Sequence, residues 1–153
     1  MRELIILGIG NRLMMDDGIG VHIVEELRKR DTNSGIRYVV GETDIYYCLE
    51  QIVDDSYVII VDAAYLGEKP GTLSIIPLQQ VSESPVKQIS IHDSHLLNEI
   101  RLSSKIIDGV FIGVEPYEID YSLNLSVALQ SQFSEIADLV GRIIQHIFCD
   151  YPL

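Results

Sequence analysis

Two stretches limit the folds open to this chain more than anything else in it: ELIILGIG (Glu3–Gly10) and YVIIVDAA (Tyr57–Ala64) are apolar almost without alternation. A strand with one wet face alternates polar and apolar residues. Short continuous runs closed by glycine or an acid instead mark strands buried on both faces, as parallel strands of α/β proteins are. The first run is expected to be the central strand. From Asp17 onward Ile19, Ile23, Val24 and Leu27 recur at helical spacing, with acids at the start and Arg28, Lys29 and Arg30 at the end, as the helix dipole favours. A helix over Asp17–Arg30 follows from that pattern.

IRYVVGET (Ile36–Thr43) reads as a second strand and DIYYCLEQIV (Asp44–Val53) as a helix capped near Thr43 or Asp44, leading into the third strand at Tyr57. GEKPG is turn chemistry, and in the fourth strand, TLSIIPL, Pro77 points to a strand end or a sheet edge. No helix separates it from the third strand, so a hairpin-like antiparallel arrangement is expected. The polar stretch from Gln79 to His92 reads as a loop ending in SIHDSH, followed by a helix in HLLNEIRLSS, a fifth strand in DGVFIGVEP and an irregular YEIDYSLN. Ser126 then caps a long helix whose apolar stripe is Val127, Phe133, Ile136, Ala137, Val140, Ile143, Ile144 and Ile147, fraying near Tyr151. The expected architecture is an α/β three-layer sandwich, a mostly parallel, mixed twisted sheet of about five strands flanked by helices on both faces.

One domain spanning 1–153 is expected, since 153 residues that are 47% hydrophobic suffice to bury roughly two-thirds of the unfolded surface. With 23 Asp and Glu against 11 Lys and Arg, the formal charge is -12, which repels a phosphate backbone and argues against nucleic acid as a partner. Cys48 and Cys149 show no CxxC or metal spacing, no signal peptide precedes the first strand, and no apolar run is long enough to cross a membrane. A cytoplasmic protein, monomeric when free, is the expectation.

Ligands of such sheets bind off the carboxyl ends of the strands. Three side chains fall there: Asp17 after the first strand, Asp62 at the end of the third, and His92 in the loop after the fourth, provided that loop travels back to the same edge. Asp62 stands out, because VIIVDAA drives a carboxylate into a buried strand end where an unpaired charge is costly. Two carboxylates and an imidazole suit a divalent transition metal and leave positions open for a substrate. Plainer roles compete at each position: Asp17 can complement a helix N-terminus, Asp62 can cap a turn, and His92 can be an exposed loop histidine.

A nucleotide site is a poorer fit for GIGNRLMMDDGIG (Gly8–Gly20), since Leu13 stands where a third glycine is needed and two acids open the helix. The chain has no Gly-x-Ser-x-Gly elbow and no Walker lysine. His22 and His146 fall within helices as surface or satisfied residues. Asp93 and His95 could support His92 or cap a helix, and Tyr46, Tyr47, Tyr117 and Tyr121 are expected to pack half-buried rather than rim a peptide groove.

With these residues in view, the chain resembles the hydrogenase maturation endopeptidases, which process the large subunits of [NiFe] hydrogenases. GIGNRLMMDDGIG resembles the family's Gly-x-Gly-Asn-x-Leu-x-x-Asp-Asp/Glu-Gly-x-Gly, and IIVDAA, GEKPGTL, SIHDSHLL and FIGVEP resemble its later motifs, so the likeness covers nearly the whole chain. It implies that Asp17, Asp62 and His92 are catalytic and metal-contacting, that the acid pair faces a cation, and that the cation is nickel already inserted in the precursor of the large subunit. It further implies an endopeptidase that removes a C-terminal extension from that precursor. A non-catalytic checkpoint or chaperone for the same nickel site is the alternative. Two departures are visible: the family's Asp-Gly-Gly-Thr after the second strand is Val40-Gly41-Glu42-Thr43 here, and many members have glutamate where Asp17 stands. The aspartate form resembles the branch that serves hydrogenases of formate-hydrogen-lyase type complexes.

Overall fold

The computed structural model describes residues 2–33, 35–81, 91–105 and 107–150, with the backbone alone for 91–95. In chain order the elements are β1 (Leu4–Ile9), a 3-10 turn (Met15–Gly18), α1 (Ile19–Arg30), β2 (Ile36–Glu42), α2 (Ile45–Gln51) and β3 (Tyr57–Ala63). There follow β4 (Leu73–Pro77), a single turn α3 (Leu78–Val81), α4 (Ile91–Leu102), β5 (Asp108–Val114) and α5 (Val127–Asp150). The sheet order is β2-β1-β3-β5-β4, parallel throughout except for the β4–β5 pair.

Every residue of β1 and β3 is buried, and the pleat explains why both runs are apolar throughout. Leu4, Ile6, Tyr57, Ile59 and Val61 face a core closed by α1 and α5, where Ile19, Ile23, Leu27, Ile136, Val140 and Ile144 meet them. Ile5, Leu7, Ile9, Val58 and Ile60 face the opposite core, closed by α2 and α4 through Cys48, Leu96, Leu97 and Ile100. Each such side chain removed from water contributes roughly 1.5–3 kcal/mol. Alternation is absent because neither face is wet, as expected for a three-layer sandwich.

Three placements differ from the sequence reading. The middle strand is β3, and β1 lies one place off centre between β2 and β3. Apolarity reports burial on both faces, which an inner strand has whether or not it is the middle one. β4 is antiparallel and at the edge, with Ile75 half exposed, but it pairs with β5 and makes no hairpin with β3. β5 fills the slot beside β3, and the connection 64–72 carries the chain past it. On α5, Val127 is exposed and Leu129 is buried in its stead, because the stripe begins only after the cap; Ser126 Oγ accepts the Leu129 N–H at 3.3 Å. Tyr151 lies outside the described residues.

Candidate active site

Gly10 is the pivot of the carboxyl edge. Its φ of 134° lies in the region that side chains rarely adopt, and a Cβ there would stand 2.1 Å from the Asp17 carbonyl oxygen and 3.1 Å from Asp62 Oδ1. The missing side chain is therefore what lets the Asp17 backbone and the Asp62 carboxylate both close onto Gly10. Gly20 does the same for α1, since a Cβ there would stand 2.1 Å from the Val61 carbonyl oxygen and 2.7 Å from that of Ile9. The helix start is thus pressed directly on the strand ends.

Asp62 is wholly buried, and its Oδ1 accepts the Ala63 N–H at 2.7 Å. Asp17 is half-buried, and its Oδ2 accepts the Asn11 N–H at 3.0 Å, while Asn11 Oδ1 accepts from Leu13 N. Both residues border Gly10, Asp17 through its backbone carbonyl and Asp62 through its carboxylate. Among the described residues no group of three His, Cys, Asp or Glu side chains is close enough to hold a metal ion; the side chain of His92 lies outside the described residues, as do those of Asp93 and His95.

The backbone still corrects the expectation of a loop at His92, which stands in the first turn of α4. At the far end of that helix Lys105 Nζ donates to the Leu49 and Ile52 carbonyls, and β5 then starts from the amino edge of the sheet. The helix thus ends near the amino edge of the sheet, beside the end of α2.

The acid pair does not face outward together, contrary to the expectation drawn from the resemblance. Only Asp17 reaches the surface, while Asp16 is fully buried. Its Oδ2 accepts from Tyr117 N at 3.0 Å, Glu118 N at 2.9 Å and Ser126 Oγ at 2.7 Å, and its Oδ1 accepts from Ser126 N at 2.8 Å. Asp16 and Asp17 are successive residues of the 3-10 turn, in which neighbouring side chains point about 120° apart. That turn also takes the place of the predicted start of α1, which begins at Ile19.

Two further residues escaped the sequence reading. Glu115, buried in the FIGVEP segment, accepts the Leu66 N–H at 2.8 Å through Oε2 and so fixes the chain just beyond Asp62. Tyr65 has its phenol pushed above the ordinary 10.0, by burial first and then by the negative charges of Asp17, Asp16 and Glu115. It is a proton-bearing hydroxyl in an acidic surrounding. Its place three residues after Asp62 was the available signal. Tyr46, Tyr47, Tyr117 and Tyr121 are exposed, not half-buried as expected, and they stand on connections leaving the carboxyl ends of β2 and β5.

Arg12 bridges Glu25 at 2.5 Å and Glu42 at 2.6 Å, and the Glu25 hydrogen bond above all raises the pKa of its guanidinium. Glu42 has a φ of 52°, a conformation that suits the glycine of the family motif better than a side chain. A hollow of about 540 Å³ lies between α1 and α5, lined by Leu27, Tyr38, Ala137 and Gly141 among others. It is remote from this chemistry, and Arg30 and Tyr38 on its wall are paired with Asp138 and Asp31. His22 is partly buried, and its Nε2 has no hydrogen-bond partner among the described residues. His146 is exposed and stands 3.2 Å from Asp150.

The family model HycI, hydrogenase maturation protease, matches residues 21–145. The hydrogenase expression/formation protein HoxM of Azotobacter vinelandii is 32% identical over 126 residues, 77% of this chain and 60% of that protein. HoxM of Cupriavidus necator is 30% identical over 151 residues, 91% of this chain and 74% of its own length. The chain spans 56–60% of the length of three curated hydrogenase expression/formation proteins that it matches, the Azotobacter vinelandii protein among them. The hydrogenase maturating endopeptidase HybD from E. coli superposes with a TM-score of 0.81 at 25% identity, covering 97% of this chain and 94% of that one. This chain belongs to the hydrogenase maturation protease family.

Proposed function

We propose that the protein is an endopeptidase that removes a C-terminal extension from the precursor of a [NiFe] hydrogenase large subunit, and that it does so only when nickel is already in the precursor. The observation that carries this reading is the approach of the Asp17 backbone and the buried Asp62 carboxylate to Gly10 at the carboxyl edge of the sheet, in a chain of the maturation protease family. Nickel is here part of the substrate. Asp17, Asp62 and His92 are the residues assigned to engage it, and oxygen and imidazole donors fit a divalent transition metal.

Recognition of the metal docks the precursor and sets the scissile peptide in register, so a precursor without nickel lacks the contact that orients it. Bound nickel supplies a polarising positive charge beside that peptide. The chain's own part is to orient its carboxylates: Asp62 is buried at the strand end, and Asp17, which reaches the surface, is held by the Asn11 N–H. No helix among the described residues is long and apolar enough to cross a membrane, and the reading places the reaction in the cytoplasm with a free monomer.

Asp62→Asn tests the assignment. The amide oxygen can keep the Ala63 hydrogen bond while the negative charge is lost, so cleavage of the nickel-loaded precursor should fall by about 10³-fold or more, with Tm within about 4 °C of the parent. Cleavage at the parental rate would remove Asp62 from the site.

A further inference from the structure

We infer that Asp16 is a positioning residue for the substrate: it locks residues 117–126 against the turn that carries Asp17, so that strap and turn form one wall of the cleft receiving the precursor. The inference rests on the function proposed above and adds to it a residue that touches neither the metal nor the peptide.

The strap has no helix or strand of its own. It is held instead by the acid turn. Met15 N donates to the Ser122 carbonyl at 2.9 Å, Ser122 N to that of Leu13 at 3.0 Å, and Asp16 N to that of Glu118 at 3.3 Å. Asp16 adds the four side-chain hydrogen bonds already described, from both ends of the strap. The Ser126 hydroxyl that donates to it also accepts the Leu129 N–H, so the same carboxylate fixes the start of α5. All four partners are donors, and they use both carboxylate oxygens. Carboxylate hydrogen bonds of this kind are short and strong, which suits a clamp more than a spacer.

What the clamp presents is apolar and exposed. Tyr117, Tyr121 and Leu123 on the strap are 62%, 86% and 63% exposed, and Leu13 on the facing turn is 58% exposed. Surface connections carry a disproportionate share of binding residues. This one adjoins Asp17, the residue assigned to the precursor's nickel, so the chain it meets is the segment of the precursor next to the scissile bond. Holding that wall rigid before binding removes an ordering cost from association.

The test combines amide hydrogen exchange with steady-state cleavage of the nickel-loaded precursor. Asparagine offers one acceptor oxygen and an amino group that opposes a donor, so Asp16→Asn keeps at most three of the four hydrogen bonds. Exchange at the Tyr117, Glu118 and Ser126 amides should speed up, while β3 and β5 amides keep their protection. KM should rise about tenfold, the lower end of what loss of a supporting hydrogen bond does at such sites, with kcat changed by no more than about twofold. Ser126→Ala, which loses the hydroxyl but keeps the N–H, should raise KM by a smaller factor in the same direction.

Faster strap exchange with parental KM and kcat would overturn the inference, and so would a fall in kcat at constant KM. Should Asp16→Asn fail to fold, the double variant Tyr117→Ala/Tyr121→Ala decides. A raised KM at parental Tm supports the strap as a wall of the cleft, and a parental KM overturns it. Failure of the parent protein itself to cleave any nickel-loaded precursor would instead contradict the proposed function, and this inference with it.

Discussion

The middle of β1 and β3 and the carboxyl ends of the same strands are held by different forces. In the middle, side chains such as Ile6 and Ile60 sit in apolar surroundings with no directional partner. The stabilisation there is burial, which tolerates exchange of one apolar side chain for another of similar volume. At the carboxyl ends, Asp16, Asp17, Asp62 and Glu115 each accept backbone N–H groups. Those hydrogen bonds fix angles as well as distances, and they fail when the acceptor changes. The first region makes the sheet; the second shapes what the sheet carries.

The contrast breaks most visibly at Asp16. Asp16→Leu keeps the volume approximately but leaves three N–H groups and a hydroxyl without an acceptor, and should cost about 4 kcal/mol or more in urea unfolding. A loss below about 1 kcal/mol would mean that the carboxylate is not a clamp. Ile60, in the other region, should separate size from shape. Ile60→Ala should cost about 2–5 kcal/mol, whereas Ile60→Leu should cost less than about 1.5 kcal/mol. Equal losses for the two would show that the core, too, depends on fixed geometry.

Smaller effects refine the comparison. Burial holds the His22 imidazole below its ordinary 6.5, against a weaker opposing pull from Glu25. The unfolded chain therefore takes up this proton first as pH falls through 6.5, and stability declines on the acid side. Above that pH both states are neutral and the contribution vanishes. His22→Gln should flatten the fall of Tm between about pH 6.5 and 5.5; an unchanged slope would remove His22 as its source. Least of all should follow from Glu42→Gly, which relieves a positive φ but gives up an exposed ion pair with Arg12. A net change within about 1 kcal/mol is expected, and a larger loss would make the Arg12 bridge a structural element.

The same division explains what could be read without coordinates. β1, β3 and β5 were legible, as was Asp44, whose Oδ1 accepts the Tyr47 N–H as a cap should, because burial and capping leave local marks in the sequence. The partner of β4 was not legible, since the slot beside β3 is taken by a strand that comes later in the chain. The start of α4 at Ile91 was hidden because a polar first turn looks like the end of a polar loop. At the site, Asp17 and Asp62 stood out by position. The different fates of Asp16 and Asp17 did not, since the two side chains are chemically identical. What separates them is the rotation of about 120° per residue in the 3-10 turn and a set of donors about a hundred residues away in the sequence.

The central claim is that cleavage depends on nickel in the precursor. Intact-mass spectrometry of a cognate large-subunit precursor, nickel-loaded and nickel-free, before and after incubation with this protein, tests it most directly. Loss of a C-terminal fragment from the loaded form alone is the predicted result. Equal cleavage of both forms would contradict nickel gating, and a nickel-dependent complex that is never cut would point to a checkpoint in place of a protease.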